Sequence, residues 1–188
     1  MNKFYLTLFF TLLFCSTLCA QNFVGGIQGG IVASQIDGDK MSGYRKFSPY
    51  GGLFVRHRLS TRIPAMWSAQ LELNYTGRGA RSNDGTIRTS MGYAEIPLLL
   101  ACNIHHWPFQ IRAGMAASYK IFEKTETFGI VSSSNDYGTW DFPLLACLDW
   151  YITKRIAANV RFSYSALRLG KQFYNNALSF GLRYYIVN

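Results

Sequence analysis

The chain has 188 residues, enough for one domain, and carries a formal net charge of +9. Charged residues make up only 15% of it, whereas soluble domains average about a quarter, and aromatic residues make up 16%. So low a charge content indicates that much of the surface faces something other than water. The basic residues are dispersed along the chain and form no single patch, so we expect no nucleic-acid partner.

Residues 1–20 have the features of a secretory signal peptide. Lys3 supplies a positive start, an apolar core follows over 4–13, and Ala20 ends the segment. We expect cleavage after Ala20, which leaves residues 21–188 as the mature domain. An uncleaved anchor helix is the alternative, although the apolar run is short for one. No later segment is long and apolar enough for a membrane helix.

The mature chain is a series of strand-length segments in which side chains alternate between two faces. Residues 92–102 illustrate the pattern: Ile96 and Leu98 share an apolar face, whereas Glu95 and Pro97 share the opposite face. Eight such strands are predicted, at about 23–34, 47–59, 65–77, 87–104, 108–121, 138–151, 156–167 and 176–187.

Charged side chains recur on the face opposite the apolar one. A barrel of eight strands is only wide enough to hold its own side chains, and a buried charge without a partner is very unfavourable. We therefore expect these charges to pair and plug the lumen; a narrow ion path is the functional alternative. The predicted lumen charges are Glu72, Glu95, Arg112, Lys120, Asp141, Asp149, Arg161 and Arg183.

Aromatic residues collect at the two ends of the apolar face, as two water–lipid interfaces require. Trp140 and Trp150 stand ten residues apart on one predicted strand. At ~3.3 Å per residue and ~40° of tilt, this spacing spans about 25 Å of height. The predicted membrane-interface aromatics are Tyr75, Tyr119, Trp140 and Tyr164 at one end, and Trp67, Phe109, Trp150 and Tyr184 at the other.

Connections between the strands alternate in length. Short ones at 60–64, 105–107 and 152–155 alternate with longer polar ones at 35–46, 78–86, 122–137 and 168–175. Lipid cannot satisfy backbone amides, so a sheet that spans it must close on itself. The chain is therefore predicted to be all-β: an eight-stranded antiparallel up-and-down transmembrane β-barrel, with short periplasmic turns and longer outer loops.

Two of these segments carry a family resemblance. Residues 93–99 read Tyr-Ala-Glu-Ile-Pro-Leu-Leu, and residues 70–80 contain Glu-Leu-Asn-Tyr followed by Gly-Arg-Gly. With the glycine-rich start at 25–30, they resemble the PorT-like outer-membrane β-barrel proteins common in Bacteroidetes. The resemblance implies an eight-stranded barrel in a Gram-negative outer membrane. The name-giving member belongs to a protein-secretion apparatus.

No catalytic, cofactor-binding or metal site is predicted. His57, His105 and His106 lie near the short connections, and no serine can be assigned to them as a nucleophile. Neighbouring residues on a strand point to opposite faces, which argues against His105 and His106 as a metal pair. Cys102 and Cys147 also fall on opposite faces, so we expect no disulfide.

Two further expectations concern prolines and loop charges. Pro97 and Pro143 each follow an acidic residue by two positions, and we expect a local bulge at each to accommodate the missing backbone donor. Basic residues outside the predicted strands are expected to be solvated, with lipopolysaccharide contact as the alternative. They include Lys40, Arg45, Lys46, Arg78, Arg81 and Lys171.

Four functions fit this sequence. The leading one is a small non-enzymatic outer-membrane barrel with a structural or interaction role, whose partners are outer-membrane lipid, lipopolysaccharide or an envelope protein. A component of a secretion or envelope-assembly machine is the second. The third is a soluble carrier barrel of lipocalin type with its apolar face inside, and the fourth is a lipid-modifying barrel enzyme.

Overall fold

The computed structural model describes residues 23–37, 44–59, 65–82, 86–128, 130–132, 138–166 and 174–186, and the predicted signal peptide lies outside them. No helix among these residues is long and apolar enough to cross a membrane. The strands are β1 (Phe23–Asp37), β2 (Lys46–Arg58), β3 (Ala65–Arg81), β4 (Ile87–Ile104), β5 (Phe109–Thr127), β6 (Ile130–Ser132), β7 (Trp140–Asp141), β8 (Pro143–Tyr151), β9 (Ile156–Ser165) and β10 (Tyr174–Ile186).

Antiparallel pairing between neighbours closes the sheet. The order runs β1-β2-β3-β4-β5-β8-β9-β10, and β10 pairs back with β1. β7 pairs with β5 and continues into β8 after Phe142, so the two form one wall strand, while β6 pairs with the far end of β5. The predicted eight-stranded antiparallel up-and-down barrel is confirmed.

The outer surface of the barrel is apolar and the interior is polar. In β4, Ile96, Leu98 and Leu100 are 51–59% exposed, whereas Glu95 is 1% exposed. The same alternation runs through β8 without a break. Apolar side chains therefore cover the outside, as a lipid-facing wall requires. The soluble-carrier alternative needed them inside and is wrong.

Strands β3 and β5 extend furthest beyond their predicted ends, both at the loop end. β3 continues to Arg81 instead of stopping near residue 77, and β5 continues to Thr127 instead of residue 121. A register shift at Gly92/Tyr93 leaves Ile121 without a partner on β4, and pairing resumes beyond it. The bulge lets the hairpins continue above the barrel wall.

The two prolines do not form the predicted bulges. Pro97 stands opposite Ala116, and the β4–β5 register is the same on both sides of it. The pairings of Trp140 and Leu144 with β5 likewise keep one register across Pro143. A proline removes a single donor, and a local interruption of the ladder accommodates that loss without an extra residue.

Candidate functional site

Four arginines and four carboxylates alternate along the barrel interior and form one connected chain of ion pairs. All eight side chains are 0–4% exposed. Opposite charges in equal number leave no net formal charge in this set. We call it the lumen network, and in spatial order it consists of Asp141, Arg78, Glu95, Arg161, Glu72, Arg112, Asp149 and Arg183.

The half of the network near the short turns is a compact cluster. Arg112 donates from Nη2 to Asp149 and from Nη1 to Glu72, at 2.8 Å each. Its Nε lies 2.8 Å from the second oxygen of Asp149. Arg183 donates to Asp149 Oδ2 at 2.6 Å and lies 3.9 Å from Glu72. The guanidinium groups of β5 and β10 thus both lie against the two carboxylates from β3 and β8.

The half near the loops is more linear. Arg78 pairs with Glu95, and its other terminal nitrogen donates to Asp141 at 2.9 Å. Arg161 joins this half to the first, because it donates to Glu72 and lies 3.7 Å from Glu95. The aromatic ring of Tyr93 lies 5.4 Å from the Arg78 guanidinium.

Neutral amides complete the surroundings of Glu72. Gln28, Gln70 and Asn74 each donate a side-chain hydrogen bond to this carboxylate. Asn159 similarly donates to Asp149 at 2.6 Å. Hydrogen-bond donors favour the charged form of a buried carboxylate, so amides and guanidinium groups together stabilise Glu72 and Asp149.

The predicted lumen charge Lys120 is inside the barrel but outside the network. Its ammonium group pairs with Glu123, which follows it across the bulge in β5. Glu123 was not predicted as a lumen charge, because the extra residue at the bulge shifts the inward face of β5 from even-numbered to odd-numbered residues. The other seven predicted lumen charges are all members of the network.

Two residues assigned to loops are inward-facing strand residues instead. Arg78 is 1% exposed and central to the network, and Lys46 is 6% exposed near the loop-end mouth. Burial lowers the pKa of Lys46, and the guanidinium groups of Arg88 and Arg81 lower it further. Arg45 and Arg81 are exposed as predicted, whereas Lys40 and Lys171 lie outside the described residues.

The predicted interface aromatics all point outward. Tyr119 stands opposite Trp140 with their rings edge-on at 5.1 Å, and Phe109 stands opposite Trp150. Because the two pairs stand ten residues apart along β5, the aromatics occupy two levels on this part of the wall. Trp67, Tyr75, Trp140, Trp150, Tyr119 and Tyr184 are 40–57% exposed, and Phe109 and Tyr164 are half-buried. Their role at the membrane interface stays a prediction.

The histidines do not assemble a catalytic or metal site among the described residues. The rings of His105 and His106 lie 3.7 Å apart in a turn and are tilted by 58° to each other, and the ring of His57 lies 4.6 Å from that of Phe23. No group of three or more His, Cys, Asp or Glu side chains in these parts of the chain is placed to hold a metal ion. Cys102 and Cys147 are both free, and only Cys147 is buried in the lumen.

The lumen network is suited to filling space and balancing charge. Each of its carboxylates is bound to at least one guanidinium group, which stays protonated at any physiological pH. All four carboxylates are therefore held as partners of arginines inside the barrel. Ion passage would require these side chains to separate, which leaves charges unpaired in a low-dielectric interior.

Comparisons with known proteins agree with this architecture. Residues 19–169 match the family model described as outer membrane protein beta-barrel domain. No curated protein matches the chain.

Several solved structures are similar in fold, including the following two. One is Ail, the attachment invasion locus protein of Yersinia pestis, in complex with the heparin analogue sucrose octasulfate; it is 16% identical, with 88% of this chain and 100% of Ail covered and a TM-score of 0.57. The other is Neisserial surface protein A, 11% identical, with 87% and 97% covered and a TM-score of 0.51. At these identities the likeness concerns the fold alone.

The family model covers most of the chain, including β1 to β9, and the barrel has the apolar exterior that an outer-membrane location requires. The chain therefore belongs to the outer membrane protein beta-barrel domain family.

Proposed function

We propose that this chain is a non-enzymatic outer-membrane barrel with a structural or interaction role, whose lumen is permanently closed by the lumen network. The observation that carries the proposal is the continuous chain of eight buried, ion-paired side chains from Asp141 to Arg183. A closed lumen without a reactive group leaves the exposed ends of the barrel to meet partners.

The orientation that fits this role places the longer connections outside the cell and the short turns in the periplasm. An even number of wall strands puts both termini on the periplasmic side, which suits delivery by a signal peptide cleaved after Ala20. At the loop end, the exposed Arg45 and Arg81 suit contact with anionic saccharides such as lipopolysaccharide. The heparin analogue bound to Ail is a polyanion of comparable chemistry.

Electrical recording tests the closed lumen directly. Purified, refolded protein in a planar lipid bilayer is expected to produce no large, steady conductance, because the network fills the interior. A matched recording of the Arg78→Ala variant, which leaves Glu95 and Asp141 without their shared guanidinium, serves as a positive comparison. Large steady currents from the unmodified protein would overturn the plug.

A second candidate function is a part in a secretion or envelope-assembly machine. The observation in its favour is the PorT-like segment at 93–99, in which Tyr93 and Glu95 contact Arg78 inside the barrel. Such a component would meet its partners through the periplasmic turns. Crosslinking of intact envelopes followed by affinity purification tests it: one defined envelope protein captured in stoichiometric yield supports this function, and capture of lipid alone contradicts it.

A further inference from the structure

The short-turn end of the barrel carries basic residues and no acidic side chain. Residues 54–71, 96–122 and 150–188 contain all the short connections and not one aspartate or glutamate. Among the described residues of this end, Arg58, Lys154 and Arg155 are exposed. We call these three the basic rim.

The basic rim is not neutralised from inside the barrel. The carboxylate nearest this end is Asp149, which is fully buried and already holds Arg112 and Arg183. In the part of the chain that the structure describes, no ion pair includes a residue of the basic rim. The positive charge of the rim is therefore available to an external anion.

A fourth cation closes the mouth at this end. Arg56 is half-buried, donates to the Tyr151 hydroxyl at 3.0 Å and to the Gln110 side-chain oxygen at 3.2 Å, and lies over the Tyr185 ring at 5.2 Å. All of its described partners are neutral. The charge of Arg56 thus adds to the positive potential at the centre of the rim.

Apolar side chains stand beside these cations in the turns. Leu59 follows Arg58 and is 56% exposed, and Ile152, two residues before Lys154, is 54% exposed. In the remaining turn, Trp107 is 66% exposed. Apolar groups with neighbouring cations are the arrangement expected where the hydrocarbon region of a bilayer meets its headgroups.

The turn between β8 and β9 holds two of the cations in a defined position. The Thr153 hydroxyl accepts hydrogen bonds from the backbone amides of Arg155 and Ile156 at 3.2 and 3.0 Å. The Arg155 carbonyl also accepts from the Tyr185 backbone amide at 2.8 Å. The backbone below the basic rim is therefore preorganised, and only side-chain freedom is lost when an anion binds.

The loop end, in contrast, carries both basic and acidic side chains. There Arg88 stands directly opposite Glu126 on the outer face, and Lys120 pairs with Glu123 inside. The two ends of the barrel consequently differ in their electrostatic character, although the whole chain is basic.

We propose that the short-turn end binds the phosphate groups of anionic phospholipids in the adjacent leaflet. Charge complementarity and the apolar residues between the cations favour a lipid surface over an acidic protein. Only the identity of that leaflet depends on the orientation proposed above. Each basic residue close to an anionic surface strengthens binding about fivefold, the equivalent of ~1 kcal/mol.

Lipid retention by matched variants tests this inference. The full-length protein is refolded into nanodiscs of phosphatidylethanolamine and phosphatidylglycerol, released into mild detergent, and its bound lipids are counted by native mass spectrometry. The unmodified protein is expected to retain phosphatidylglycerol preferentially. Lys154→Gln with Arg155→Gln should lower that preference at least about fivefold, and added Arg58→Gln should lower it further.

Arg88→Gln with Lys124→Gln is the matched control, since it removes the same two charges from the exposed outer face at the loop end. It should leave the preference unchanged, and heat-modifiable gel migration shows that each variant is folded. Equal loss in both pairs, or no loss in either, would overturn the proposal. The proposal would also be overturned if the protein bound purified peptidoglycan and Lys154→Gln with Arg155→Gln abolished that binding without changing lipid retention. A conducting but lipid-selective protein would refute the closed lumen and leave this inference standing.

Discussion

Glu72 is the residue on which the interior of the barrel depends most. It accepts from Arg112 and Arg161, lies 3.9 Å from Arg183, and receives three amide hydrogen bonds in addition. Its side chain is fully buried. A single carboxylate thus lies close to guanidinium groups from three different strands.

Replacing Glu72 with glutamine tests this role. Glutamine has the shape of glutamate but no negative charge, so the guanidinium groups of Arg112 and Arg161 lose their shared counter-charge. Breaking a buried ion pair costs about 3–5 kcal/mol. We expect the free energy of unfolding in lipid vesicles to fall by about 3 kcal/mol, measured by urea titration with heat-modifiable migration as the readout. Glu126→Gln, at a half-exposed position, should cost less than ~1 kcal/mol. Similar losses for both variants would contradict a structural role for the network.

At the level of the strands, the inward-facing glycines permit neighbouring backbones to approach closely. A Cβ added to Gly114 on β5 would lie 2.0 Å from the Leu98 carbonyl oxygen of β4, whereas one added to the outward-facing Gly51 would meet nothing closer than 3.4 Å. Inward positions at Gly26, Gly30, Gly52 and Gly181 are similarly crowded. A narrow barrel curves strongly, so side chains on its concave face converge.

The strand-level prediction compares these two glycines. Gly114→Ala is expected to destabilise the barrel by about 1–3 kcal/mol, because β4 must shift to accommodate the methyl group. Gly51→Ala should be neutral or slightly stabilising, since alanine reduces the freedom of the unfolded chain. Urea midpoints of the two variants in the same vesicles measure the difference. A Gly51 variant as unstable as the Gly114 variant would rule out crowding on the concave face as the cause.

Alternation of polar and apolar residues was sufficient to predict the number of wall strands and which side chains point inward. It did not predict where the strands end. Polar and apolar residues alternate because lipid and lumen impose opposite requirements on the two faces, so Glu95 and Leu98 could be placed correctly without a structure. The extension of β3 to Arg81 was not predictable in this way, because Gly77 and Gly79 interrupt the alternation of polar and apolar residues there. Arg78 was for this reason mistaken for a loop residue.

For the whole molecule, closure of the sheet was predictable and the pattern of ion pairs was not. A sheet in lipid must close, whatever its side chains. Which charges meet depends on register and stagger, and Arg161 reaches Glu72 across 89 positions of sequence and the full width of the lumen. Local periodicity contains no information about such contacts. The sequence therefore predicted that the lumen charges are paired, but not which residues pair with each other.

The environment of the whole barrel can be tested with one charge on its outer wall. Leu98 is 59% exposed and stands opposite Met115, which lies between Phe109 and Tyr119 on β5 and hence midway between the two aromatic levels. An arginine at the midplane of a lipid-facing wall costs about 2–4 kcal/mol.

Leu98→Arg should therefore lower the free energy of unfolding by about that amount in phospholipid vesicles, because its guanidinium group has no water or counter-charge within the hydrocarbon region. Ile130→Arg, on the exposed β6 beyond the wall, introduces the same group and should change stability by less than ~0.5 kcal/mol. Since both isoleucine and leucine are solvent-accessible in the isolated chain, only a surrounding bilayer distinguishes the two positions. Equal tolerance of both arginines would mean that Leu98 faces water, and the lipid-facing assignment of the apolar wall would then be wrong.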